Sequence, residues 1–95
     1  MEIGYTNHDA AVRDLFEHKS LEALAYLVEE GRELEFTWNG TMCFLSRSGS
    51  RQYVSLWYNS TQQSFDSIPQ LMENATLAGV PFRTAWKHAE LRYLF

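Results

Sequence analysis

Cysteine occurs once, at position 43. A lone cysteine has no partner for an internal disulfide, so a reducing compartment, the cytoplasm, is the expected setting. No run approaches the roughly 18 apolar residues of a membrane-spanning helix, and no membrane role is expected. The opening Met1-Glu2-Ile3-Gly4 lacks the basic and apolar regions of a secretory signal. Basic residues are few, eight Lys and Arg against twelve Asp and Glu, for a formal net charge of −4. Nucleic-acid and anionic-membrane binders draw affinity from dense Lys and Arg, so both classes are disfavoured, while a basic partner is compatible.

Chemical motifs are also missing. His8, His18 and His88 are far apart and no His-x-x-x-His or Cys-x-x-Cys spacing occurs. No metal site or cofactor is therefore expected. Ser46, Ser48, Ser50 and Cys43 lie near a turn, but no Gly-x-Ser-x-Gly elbow surrounds a nucleophile. Glu33 and Glu35 share one face of a strand, where a solvated face is the ordinary reading and general acid–base work the sharper one. Cys43 falls on a core face and reads as a small buried hydrophobe. Three Asn-x-Thr triplets, at Asn39, Asn59 and Asn74, read as turn and loop asparagines. A non-enzyme is expected.

What the chain does have is apolar and aromatic residues, 45% and 15% of its 95 positions. That suits one packed domain over residues 1–95. Most of the β-formers lie between Glu33 and Tyr58. Asn39-Gly40 separates Glu-Leu-Glu-Phe-Thr-Trp from Thr-Met-Cys-Phe-Leu-Ser-Arg. Asn-Gly accepts the positive φ angles of a two-residue hairpin turn, and that turn fixes the register. Leu34 should face Leu45, Phe36 face Cys43 and Trp38 face Thr41, all on the core side. Glu35, Thr37, Met42 and Phe44 then share the opposite side. A second hairpin is expected through Ser48-Gly49-Ser50-Arg51, with Val54, Leu56 and Tyr58 inward and Tyr53 and Trp57 outward.

Helical signals flank this centre. Residues 7–18 form a first helix capped by Thr6 or Asn7, with Val12, Leu15 and Phe16 on one face. Ser20 caps a second, with Leu21, Leu24, Ala25 and Val28 on its stripe, and Gly31 stops it; one kinked helix over 8–30 is the alternative. Residues 59–64 read as a polar loop. Asp66 or Ser67 caps a third helix, with Pro69 in the first turn; with Ser67 as the cap, Gln70 completes a capping box. Residues 82–89 offer one or two helical turns. Glu90 to Phe95 reads as a strand with Leu91, Tyr93 and Phe95 on one side. The expected fold is α+β: an antiparallel three- to four-stranded meander sheet with two N-terminal helices and one or two C-terminal helices packed on it.

The stretch Gly31-Arg-Glu-Leu-Glu-Phe-Thr-Trp-Asn39-Gly40, the helix entry Phe65-Asp66-Ser67-Ile68 and the closing Trp86…Tyr93-Leu-Phe95 resemble small bacterial proteins associated with phages and mobile elements. The resemblance spans residues 30–95. It implies an accessory regulator or inhibitor and supplies no site residues.

The second face of the sheet carries Met42, Phe44, Tyr53 and Trp57. Either a helix of the same chain covers it, or these residues, or Trp86 and Tyr93, form a surface for a protein partner or a second copy of the chain; aromatics and Met are enriched in interface cores. Arg47 and Arg51 flank the one compact basic turn and offer an alternative, an anion, nucleotide or nucleic-acid site. A small enzyme is the third reading.

Overall fold

In the computed structural model, which describes residues 7–47 and 53–95, Asn39 and Gly40 reverse the chain with φ angles of 53° and 77°. The strands they join, β1 (Leu34–Trp38) and β2 (Thr41–Arg47), pair in the register the turn dictates: Leu34 with Leu45, Phe36 with Cys43, Trp38 with Thr41. β3 (Val54–Tyr58) continues the antiparallel ladder, with Cys43 opposite Tyr58 and Leu45 opposite Leu56. The turn between β2 and β3 lies outside the described residues.

Residues 59–64 are not a loop. Asn59, at φ 57°, and Ser60 make a second two-residue turn into β4 (Thr61–Phe65), which pairs with β3. This strand is nearly all polar, so no apolar alternation announces it. Its inward Gln63 donates from Nε2 to the Thr76 carbonyl at 2.6 Å and accepts from the Thr76 amide at 3.1 Å. One side-chain amide thus satisfies both backbone groups of Thr76, where apolar packing would otherwise be expected.

The sheet is five-stranded, in the order β4-β3-β2-β1-β7, one strand more than expected. β7 (Glu90–Leu94) pairs with β1 through a bulge opposite Glu35 and Phe36. The bulge inserts one residue and reverses the alternation beyond it. Leu91 therefore sits opposite Phe36 and packs on the core, while Tyr93 sits opposite Glu35 on the other side. Leu91, Tyr93 and Phe95 do not share a face, as simple alternation required.

Helix α1 (His8–His18) begins at Asn7, whose Oδ1 accepts from the Ala10 amide at 2.8 Å. Lys19, in the left-handed region at φ 50°, breaks the run. Ser20 then caps α2 (Leu21–Glu29), its Oγ accepting from the Ala23 amide at 3.1 Å, so the segment is two helices rather than one kinked one. The faces are rotated from the expected stripes. Ala11 and Leu15 are buried in α1 while Phe16 is exposed, and Ala23, Leu24, Leu27 and Val28 are buried in α2. Gly31 stops the chain at φ 92°.

Helix α3 (Ile68–Asn74) is capped by Ser67, which accepts from Gln70 N at 3.2 Å, and Gln70 Oε1 accepts from the Asp66 amide at 3.3 Å. The box closes one residue before the cap. A two-residue ladder, β5 (Thr76–Leu77) with β6 (Val80–Pro81), leads into α4 (Phe82–Trp86).

One apolar cluster joins the helices to the inward strand residues, among them Leu34, Phe36, Cys43, Leu45, Val54 and Leu56. Phe36 meets Trp86 of α4 edge-on at 5.7 Å. Each such fully buried side chain contributes roughly 1.5–3 kcal/mol. The radius of gyration, 12.3 Å, matches the ~12 Å of a single compact domain of this length. Among the described residues, no helix is long and apolar enough to cross a membrane.

Candidate functional site: the outer face of the sheet

Pleating sends alternate residues to opposite sides, and here the two sides differ in kind. The inner side is roofed by helices. Among the described residues, none of the outer side belongs to the buried apolar cluster, and the one outer residue that is buried is the polar Ser55. Among the described residues, no helix covers the outer side, and its large apolar groups meet water: Met42 and Tyr53 are each 49% exposed, Tyr93 57% and Phe95 58%. Phe44 and Trp57, nearer the centre, are half-buried.

Cross-strand register orders this face. One row runs Tyr93, Glu35, Phe44, Trp57, Gln62 across the five strands. The Glu33 and Phe95 backbones exchange hydrogen bonds of 3.1 and 2.7 Å, which extends the β1–β7 ladder and sets Phe95 beside this row. Phe95 lies 6.2 Å from Phe44 and 6.3 Å from Tyr93, ring centre to ring centre. The rings therefore form a connected cluster rather than scattered exposed residues.

The two halves of the face carry different polar groups. On β3 and β4, Ser55, Ser64 and Gln62 satisfy one another at 3.0–3.3 Å. On β1 and β7 stand Glu35 and Glu90, with Glu33 just before β1; Glu90 accepts from Thr37 Oγ1 at 3.5 Å. Among the described residues, none of these three glutamates has a Lys, Arg or His within ion-pair distance.

The other expected site residues fall elsewhere. Arg47 points to the helix side, 22% exposed, and pairs with Glu29 of α2 at 3.1 Å. Arg51 lies outside the described residues. Trp86 is buried in the core, its indole N–H donating to the Lys19 carbonyl at 2.8 Å. Cys43 is 1% exposed, and burial pushes its thiol up to about 11, against the opposing hydrogen bond to the Trp38 backbone. It is a protonated core residue at neutral pH. His8 Nε2 accepts from Arg32 Nη1. Among the described residues, no three His, Cys, Asp or Glu converge to hold a metal ion.

A second concavity of about 500 Å³ lies between α2 and α3, floored by Ala25, Ile68, Pro69 and Met72 and rimmed by Glu29, Glu30 and Arg83. Its size suits a small ligand. Two of its charges are already matched, Arg83 to Glu73 at 3.3 Å and Glu29 to Arg47, and no Ser, Thr, Cys, Lys or His lines it among the described residues.

Tyr93 and Phe95 are the outer-face residues that alternation alone assigned wrongly to the side of Leu91. Tyr93 was a candidate for a contact surface from the sequence; for Phe95 the signal was the aromatic content of the last strand. No protein-family model, curated protein or solved structure matches the chain.

Proposed function

We propose that this protein is a non-enzymatic docking module that binds another protein through the outer face of its sheet. The observation that carries this reading is the outer face of the sheet, uncovered among the described residues: Met42 and Tyr53 are each half exposed, Trp57 stands opposite Phe44, and Phe44, Phe95 and Tyr93 are in ring contact. Water contact with so much aromatic surface is unfavourable, and covering it supplies the main driving force of association. The half-buried Phe44 and Trp57 are the anchors; the more exposed rings surround them.

An anion site at the Arg47 turn is less well supported, because an incoming anion would have to displace Glu29 from Arg47. A cytoplasmic setting suits the buried, reduced Cys43. The resemblance to mobile-element proteins suits a regulator or inhibitor, which acts by occupying a partner's surface.

The test compares Trp57→Ala with the unaltered protein as bait in the native host extract. A captured protein that Trp57→Ala loses, while its melting temperature stays close to the parent's, supports the reading. Identical capture by both baits defeats it.

A further inference from the structure

We infer that the occupant of this face is a cationic segment of another protein, a single strand or helix bearing arginine or lysine among apolar residues. The inference rests on the docking role proposed above and names the chemistry of the partner. Its first support is charge. Glu35 stands directly between Tyr93 on β7 and Phe44 on β2, with Phe95 in ring contact with both of these neighbours. Glu33 and Glu90 flank it on the same side of the sheet. Two basic residues lie near this half of the face, Arg92 at the bulge of β7 and Arg32, whose Nε donates to the Phe95 carbonyl at 2.6 Å; neither is within ion-pair distance of the three glutamates among the described residues. Covering these carboxylates with an apolar surface would strip their water and return nothing. A guanidinium or ammonium laid over the rings meets both their electron-rich faces and a carboxylate at once.

The second support is size. Five strands and about five residues per strand span roughly 24 by 17 Å, an area on the order of 400 Å². That is about half of what each partner contributes to a standard stable interface, ~800 Å². A lone helix or strand fits such an area. A second copy of this chain does not: face-to-face pairing would also bring Glu33, Glu35 and Glu90 under cover with few cations to meet them.

The probes are two short synthetic peptides, one of Arg-Arg-Leu-Leu repeats and one of Glu-Glu-Leu-Leu repeats, so that either face of an extended strand carries both residue types. The readout is the Trp57 indole resonance of isotope-labelled protein, with the buried Trp86 indole as internal control. The arginine peptide should move Trp57 and leave Trp86 in place, binding at least about tenfold tighter than the glutamate peptide. Combined Glu33→Gln and Glu35→Gln should weaken it by about tenfold, with the melting temperature held. Equal binding of both peptides, each lost in Trp57→Ala, would overturn the cationic partner and leave the docking face standing. Arginine-peptide binding that survives Glu33→Gln/Glu35→Gln would do the same. Self-association abolished by Trp57→Ala would make the occupant a second copy and overturn the inference. No response of Trp57 to either peptide in a monomeric protein would overturn both readings.

Discussion

The Lys19 ammonium and the Trp86 indole hold each other's backbones across 67 positions of sequence. The indole N–H donates to the Lys19 carbonyl at 2.8 Å, and Lys19 Nζ donates to the carbonyls of Trp86, Lys87 and Ala89 at 3.3, 2.9 and 2.8 Å. All three ammonium donors are used, and a positive charge sits at the C-terminal end of α4, where it suits the helix dipole. This pair ties the α1–α2 junction to the roof over Phe36.

Lys19→Ala should therefore cost about 1–2 kcal/mol, since the bonds are charge-assisted but partly exposed. Lys19→Gly loses the same bonds but relaxes the left-handed φ of 50°, so it should be less destabilising than alanine, by roughly 1 kcal/mol. Trp86→Phe keeps most of the packing and loses one hydrogen bond, about 1 kcal/mol. Thermal melts check the order, at about 4–8 °C per kcal/mol for a domain of this size. Alanine and glycine melting together would mean that the backbone at Lys19 is unstrained.

The two sides of the sheet should respond differently to truncation. Phe36→Ala empties a fully buried site and should cost about 3–5 kcal/mol. Trp57→Ala, on the uncovered side, should cost about 1 kcal/mol. Chemical denaturation of the two variants measures this directly. Comparable losses would show that Trp57 is packed as a core residue and would remove the docking face.

Cys43 should ignore thiol reagents in the folded protein at neutral pH and react on unfolding. Its thiol is raised from 9.0 to about 11 by burial. The folded state thus favours the protonated form. Its stabilisation is complete below about pH 9 and is lost as pH climbs towards 11, where the unfolded chain releases its proton first. Tyrosines and lysines titrate in the same window, so the measure is the difference from Cys43→Ala, whose alkaline decline should be shallower.

Gln63→Leu should cost about 1–3 kcal/mol by leaving both backbone groups of Thr76 without their partner. Gln63→Glu should cost at least as much, because a carboxylate opposite the Thr76 carbonyl repels it and offers no N–H. Hydrogen exchange at Thr76 gives a local readout: faster exchange in Gln63→Leu, which loses the acceptor for the Thr76 amide, with the β1–β2 amides unchanged.

The sequence was most informative where short-range chemistry decides the backbone. Asn39-Gly40 set a turn, the turn set a register, and the register set which residues face the helices. Asn7, Ser20 and Ser67 marked helix starts because a cap is satisfied within three residues. What failed were features decided by distant partners. β4 is legible only once Gln63 is known to meet Thr76, and Asn59 alone hinted at the turn before it. The β7 bulge exists to fit β1, and nothing within residues 90–95 announces it. The same bulge moved Tyr93 and Phe95 to the outer face. Met42, Phe44, Tyr53 and Trp57 were therefore readable from the hairpin register, whereas the side of the sheet taken by Tyr93 and Phe95 was not.

β1 lies between a neighbour that follows it directly and one that arrives late: Thr37 waits for Glu90 across 53 positions. β1–β2 and β3–β4 each close by a two-residue turn and β2–β3 by a short stretch of sequence, which needs little chain entropy, whereas the last strand must close a long loop. During synthesis, β1 is an open edge until residues 90–94 leave the ribosome. Any strand-like segment nearby, including one from a neighbouring nascent chain, can compete for that slot in the interval. Misassembly, when it occurs, should start at β1.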